Sequence, residues 1–185
     1  MGHYNNMLEL EPELDGMNLR IGIVMSRCNR LVGEDLLGAC TITLAKHGVS
    51  LGNLTLATVP GVLEIPLMLK ELAETGNYDA LIALGAVVRG DMSYRFEVVC
   101  NECAAGITRV QLDSGVPIAN GVLITDSNPV EFTSRHGARA AATAVEMANL
   151  VRPFRVFRSR VPRDRRAASS IGMPKPRVAH HIPQS

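Results

Sequence analysis

The chain has no tryptophan, and aromatic residues make up only 4% of its 185 positions. Its interior must therefore be filled by Val, Ile, Leu, Ala and Met rather than by large rings. No apolar run reaches the roughly 20 residues that a membrane-spanning helix needs. The N-terminus also lacks a basic stretch followed by an apolar one. A membrane is thus not expected as a partner, and a cytoplasmic location is the simplest expectation. Cysteine is sparse too. Cys28, Cys40, Cys100 and Cys103 sit in a chain with no secretory signal, so reduced thiols are expected rather than disulfides.

What is present suits one globular domain: 46% hydrophobic and 20% charged residues, in a chain long enough for a sizeable core. The net charge of +1 hides an asymmetry. Residues 151–185 hold nine of the 19 Lys and Arg against one acid, Asp164, which makes that end +8; the remaining ten bases and 17 acids leave the body at −7.

The pattern along the chain divides it into an arm at 1–18, a domain at 19–150 and a basic tail at 151–185. The arm is polar and without period. Leu19–Ser26 is a short apolar run rich in Ile and Val, as in a buried parallel strand. Glu34–His47 has helical spacing and runs into Gly48, a glycine cap. Strand and helix then alternate: Asn53–Val59 and Asp79–Val88 as strands, Glu64–Thr75 as a helix ended by Gly76, Tyr94–Asp113 as a long helix, Val116–Thr125 as a strand and Thr133–Leu150 as an Ala-rich helix. Such alternation predicts a parallel sheet covered on both faces, a flavodoxin-like three-layer α/β/α domain. Beyond Leu150 the Arg-rich text carries Pro153, Pro162, Pro174, Pro176 and Pro183. No regular element is expected there, and 155–185 reads as disordered.

Ligands of an open parallel sheet bind beyond the carboxyl ends of its strands. The loops at those ends are Arg27–Gly33, Pro60–Leu63, Arg89–Ser93 and Asp126–Pro129. Arg89-Gly90-Asp91-Met92-Ser93 runs into a helix N-terminus, whose free amides and dipole suit an anion; a plain tight turn explains the glycine equally well.

Val59-Pro60-Gly61-Val62-Leu63-Glu64-Ile65-Pro66 and Ala83-Leu84-Gly85-Ala86-Val87-Val88-Arg89-Gly90 resemble the VPGxxEIP and ALGxVIRG segments of the lumazine synthase family. Asn101-Glu102 with Gly106-Ile107, Gly115-Val116-Pro117, Gly121-Val122-Leu123 and Glu146-Met147-Ala148-Asn149-Leu150 are similar to its later motifs, so the resemblance runs from about residue 17 to 150. It implies condensation of 5-amino-6-(D-ribitylamino)uracil with 3,4-dihydroxy-2-butanone 4-phosphate to 6,7-dimethyl-8-ribityllumazine, a step of riboflavin biosynthesis. The substrate brings its own amine, so no catalytic lysine, metal or organic cofactor is implied. It also implies a homo-pentamer or a multiple of pentamers, with sites between adjacent subunits.

By the same resemblance, Glu64 holds the ribityl hydroxyls beside the backbone of Val62 and Leu63; its plainer role is a helix N-terminal acid. Ala86, Val87 and Val88 end the strand whose backbone reads the pyrimidinedione edge. Gly90, Asp91, Met92 and Ser93 correspond to the phosphate cradle, in a segment one residue longer than usual. Aligning Tyr94-x-Phe96-Glu97 with the family's YHFE puts Arg95 at the proton-handling histidine; aligning from Gly90 puts Tyr94 there. An arginine stays protonated and cannot serve as a base, so Arg95 is expected to act electrostatically.

By the resemblance Cys28 and Asn29, in one loop, are substrate-binding; Cys28 replaces the family's stacking aromatic residue and is expected to be a small apolar filler rather than a nucleophile. Asn120 corresponds to a position that lines the neighbouring subunit's site. The phosphate-binding arginine falls in a shortened loop: strict register points to Phe132, and Arg135 is the nearest substitute, ahead of Arg139. A diverged homologue acting on a related substrate, or a shell or binding protein that keeps the fold without turnover, is the rival expectation.

Cys100-x-x-Cys103 lies within a helix and reads as structural, so no metal site is expected; His180-His181 in the tail reads as solvated. The tail's arginines would attract phosphates, but with only Phe154 and Phe157 to stack, nucleic acid is not expected as a partner.

Overall fold

Buried apolar runs become parallel strands and helical stripes become the helices that cover them. The computed structural model describes residues 10–89, 93–125 and 130–160. In order these form β1 (Ile21–Ser26), α1 (Arg30–Lys46), β2 (Leu54–Val59), α2 (Ile65–Glu74), β3 (Ala80–Val88), α3 (Ser93–Ser114), β4 (Ile118–Thr125) and α4 (Val130–Arg160), with 3-10 turns at Leu51–Asn53 and Val62–Glu64. The strands make one all-parallel sheet in the order β2-β1-β3-β4. Strand order therefore reverses between β1 and β3, the switch point at which the carboxyl ends open a crevice.

The period of 2 along each strand sorts its side chains into two cores. Ile21, Ile23, Met25, Ile82, Leu84, Ala119 and Leu123 meet α1 and α4 through Leu36, Cys40, Leu44, Ala141 and Val145. Val24, Leu81, Ala83, Ile118 and Val122 meet α2 and α3 through Ile65, Leu69, Cys103 and Ile107. This is the expected three-layer flavodoxin-like α/β architecture. Gly48 and Gly76 follow α1 and α2 with φ of 87° and 68°, the left-handed conformation required of a C-terminal cap.

Two boundaries differ from expectation. Helix α1 begins at Arg30 rather than Glu34, because Asn29 adopts φ 55° and turns the chain into the helix directly after the strand. Helix α4 runs to Arg160, ten residues past the expected end at Leu150, with Pro153 inside it. The expectation that no regular element follows Leu150 is thus corrected for residues 151–160. Proline inside a helix costs about 3 kcal/mol, but tertiary contacts hold this extension. The Arg155 guanidinium donates to the Tyr78 and Asp79 carbonyls at 3.3 and 3.2 Å. One turn before the proline, the Asn149 amide donates to the Glu13 and Asp15 carbonyls of the arm at 3.0 and 2.8 Å. The arm is also tied by the Gly16 N–H to the His47 carbonyl at 2.7 Å. Residues 161–185, with His180 and His181, lie outside the described residues.

Candidate functional site at the carboxyl ends of the strands

Three of the four strand ends converge on the switch point, and backbone contacts fix the loops that leave them. After β1, the Arg27 N–H donates to the Val59 carbonyl of β2 at 2.8 Å. Its guanidinium donates to the Thr58 carbonyl at 3.0 Å and to Thr58 Oγ1 at 3.3 Å. The Cys28 N–H donates to Oγ of the fully buried Ser26 at 3.1 Å. Asn29 Nδ2 reaches across to β3 and donates to the Ala86 carbonyl at 3.1 Å. The loop 27–29 is therefore pinned on both sides, leaving Cys28 exposed at the crevice mouth.

After β2, the Pro60-Gly61 turn leads into the 3-10 turn that places Val62 inside and Leu63 and Glu64 outside. Glu64 stands at the N-terminus of α2, with Pro66 at its start and no capping bond from the carboxylate. The carboxylate lies back over the turn: a Cβ added at Gly61 would come within 2.8 Å of Glu64 Oε2. Val62 packs onto β3 where Gly85 has no side chain; a Cβ there would meet Val62 Cγ1 at 3.1 Å and Ser26 Cβ at 3.2 Å. Beyond Gly85, Ala86 is buried, Val87 half-buried and Val88 exposed as the strand leaves the sheet.

After β3, the Arg89 N–H donates to the Thr125 carbonyl of β4 at 2.9 Å. Its guanidinium lies over the Phe96 ring, 4.6 Å from the centroid, a cation–π contact that seats the start of α3 on the end of β3. Arg95 is exposed in the first turn of α3. Gly90, Asp91 and Met92 lie outside the described residues, as do the side chains of Ser93 and Tyr94. Arg135 is exposed in the second turn of α4, on the side of the sheet to which the β4 end points; Phe132 and Arg139 are exposed on the same helix.

One site candidate stands apart. Asn120 pairs with Ala83, five residues before Thr125, which is about 16 Å along the strand. It is exposed on the free edge of β4, where its Oδ1 accepts the Val122 N–H at 3.0 Å. Within one chain it cannot reach the crevice between β1 and β3.

The sequence model described as 6,7-dimethyl-8-ribityllumazine synthase matches residues 18–152. The protein of that name from Nitrosospira multiformis is 54% identical over 154 residues, covering 82% of this chain and 96% of its own length. Its namesakes from Azoarcus sp. and Nitrosomonas europaea are 54% and 53% identical over 154 residues, covering 98% and 93% of their lengths. The chain belongs to the 6,7-dimethyl-8-ribityllumazine synthase family. The lumazine synthases are transferases, and the match spans β1 to the last turns of α4, so every strand end described above falls inside it.

The loop after β1 spans residues 27–29, shorter than the expected 27–33 because α1 starts at Arg30, and the loop after β2 begins at Pro60 as expected; the bonds that brace them were not expected. Neither Ser26, nor Arg27, nor the Arg89–Phe96 stack was singled out. Ser26 ends β1 and holds Cys28 two residues on, whereas Arg27 finds its partner, Thr58, 31 residues away, a pairing that no local spacing signals. No helix among the described residues is long and apolar enough to cross a membrane, and none of their His, Cys, Asp and Glu form a group of three suited to a metal.

The cysteines separate by burial. Burial pushes the Cys40 thiol up to about 12 and the Cys103 thiol, aided by neighbouring Cys100, up to about 11; the half-buried Cys100 is raised for the same reason. A thiol whose pKa is raised by folding contributes its full stability below the ordinary value near 9 and loses it as pH climbs through the folded value. Alkaline unfolding is thus favoured between about pH 9 and 12. With a thiol-reactive chromogen at pH 8, Cys28 is expected to react rapidly in the native protein. Cys40 and Cys103 should react only after unfolding; their rapid native reaction would contradict the described burial.

Proposed function

We propose that this chain is a lumazine synthase in the full catalytic sense: it condenses 5-amino-6-(D-ribitylamino)uracil with 3,4-dihydroxy-2-butanone 4-phosphate and releases 6,7-dimethyl-8-ribityllumazine, phosphate and water. The family assignment together with the gathering of Glu64, the Val62–Leu63 turn and the Ala86–Val88 strand end at one crevice carries this reading. The heterocycle lies in that crevice with its edge on the backbone of Ala86, Val87 and Val88, beside Cys28 and Asn29. Glu64 accepts from the ribityl hydroxyls. The phosphate sits at the α3 N-terminus, over Gly90, Asp91, Met92 and Ser93, with Arg135 as its cation.

The substrate amine attacks the ketone to form an imine with loss of water; elimination then expels phosphate, and the second amine attacks the carbonyl so formed and closes the ring with loss of a second water. The protein's contribution is to hold two reactants together and stabilise developing charge. Arg95 stays cationic throughout and polarises an oxygen or the departing phosphate rather than shuttling a proton.

The active assembly is a homo-pentamer or a multiple of pentamers, and the enzyme works in the cytoplasm. The position of Asn120 supports the assembly, because a side chain on the outer edge of β4 can line a strand-end crevice only in a neighbouring chain. Exposed Leu31, Leu51, Leu56, Leu67 and Leu112 supply apolar surface for such contacts.

The test mixes purified protein with both substrates and follows lumazine fluorescence against the spontaneous rate. Product above background is the expected result; tight pyrimidine binding without product would assign a binding paralogue instead. Run across pH, the same assay should show no essential group near pH 6–7 that vanishes in Arg95→Ala. Such a limb would contradict the electrostatic role.

A further inference from the structure

We infer that Asn29 is a positioning residue that sets the heterocycle-binding edge of β3 by completing the sheet ladder across the switch point; this rests on the proposed lumazine synthase activity. Along β3 the N–H groups of Leu81 and Arg89 donate towards β4, to the Pro117 and Thr125 carbonyls. Residues of a parallel strand alternate in the direction of their backbone groups, so Leu84, Ala86 and Val88 face β1. The β1–β3 register ends at Met25 opposite Leu84, and β1 itself ends at Ser26. The Ala86 carbonyl thus looks into the place where β1 has run out. Asn29 fills it: its side-chain amide donates to that carbonyl at 3.1 Å, as the next backbone N–H of a longer strand would.

Local preference runs against this arrangement, which is what marks it. Asn29 is the N-cap of α1, where an asparagine side chain ordinarily accepts an N–H of the first turn. Here it makes no capping bond, and the residue holds the left-handed conformation at φ 55° and ψ 52°. That conformation costs a non-glycine residue energy, although asparagine tolerates it better than most. Both departures serve one contact with β3. A residue that gives up its local role for a cross-crevice bond fixes the spacing between the β1 loop and the strand end. Cys28, directly before it, is held on the other side by Ser26, and Arg27 by Thr58. One N–H of the Asn29 amide is thereby committed to protein, where it orients the Ala86 carbonyl and the loop.

Glycine adopts the left-handed conformation freely, so Asn29→Gly removes the tether while keeping the turn. The expected result is a rise of about tenfold in the Kd and KM for the ribitylamino-pyrimidinedione, the scale of one neutral hydrogen bond, with KM for the butanone phosphate and the thermal midpoint nearly unchanged. Asn29→Asp sets a carboxylate against a carbonyl. It should bind the pyrimidine more weakly still at pH 8 and recover as the pH falls and the carboxyl regains a donating proton, a pH dependence absent from the wild type.

Equal pyrimidine affinity in the wild type and Asn29→Gly overturns the inference. So does parallel loss of stability and of both substrate affinities, which would make Asn29 part of the scaffold only. Direct titration of the pyrimidine separates the two levels of argument. A wild type that binds no pyrimidine overturns the functional reading and the inference with it; a wild type that binds but makes no product leaves the tether to be judged by the Kd values alone.

Discussion

Gly137→Ala should lower the thermal midpoint by roughly 6–12 °C, while the same change at Gly38 should not lower it. Gly137 is buried where α4 crosses α1. A Cβ there would collide with the Leu36 carbonyl oxygen and lie 3.1 Å from its carbon and 3.2 Å from Ala39 Cβ. The neighbours are helix backbone, which cannot swing aside, so the two helices must separate. That separation loosens the layer in which Leu36, Cys40 and Leu44 meet Ala140, Ala141, Ala144 and Val145 over the sheet. Overpacking of this kind costs about 3 kcal/mol, and a chain of this size loses about 2–4 °C per kcal/mol. Gly38, in the same helix α1, would place its Cβ in open space with no atom within 4 Å. Alanine there should gain up to about 1 kcal/mol from helix propensity. Calorimetry of the pair is the check, and equal midpoints would mean that the α1–α4 contact is not as close as described.

Glu64→Gln should cut kcat/KM for the ribitylamino-pyrimidinedione by about 100-fold with little change in stability. The carboxylate caps nothing at the start of α2 and lies at the crevice over Gly61, so the fold does not depend on its charge. In the proposed complex it is the acceptor for the ribityl hydroxyls. Hydrogen bonds to a charged group are worth about 1.5–3 kcal/mol each, and a neutral amide keeps only part of that and adds a misdirected donor. The loss should fall on KM for the pyrimidine, because the ribityl chain is remote from the bonds that change and its binding is uniform along the reaction. Steady-state kinetics with each substrate varied in turn will tell. An unchanged KM for the pyrimidine would remove Glu64 from the site.

Much of the architecture was legible because burial on both faces leaves a plain mark. Leu81–Val88 is unbroken apolar text, and only a central parallel strand needs that. The glycines after α1 and α2 marked their ends for an equally local reason, since few other residues take a positive φ. What failed to show was decided at a distance. Nothing near Pro153 announces that α4 continues, because the contacts that hold it, from Arg155 to the carbonyls of Tyr78 and Asp79, join segments 76 and 77 residues apart. The start of α1 was hidden in the conformation of the single residue Asn29.

The candidate site divides in the same way. Its loops were visible as motifs, whereas the place of Asn120 on the edge strand, away from the strand ends, emerges only from the sheet order. The braces from Arg27 to Thr58, Asn29 to Ala86 and Arg89 to Phe96 are pairings that no spacing in the sequence predicts.

The arm before β1 and the overhang of α4 are both stitched to the pole of the sheet where the strands begin, the first by Asn149 and the second by Arg155. That pole is opposite the carboxyl ends of the strands, so both sets of contacts lie away from the crevice proposed to take the substrates.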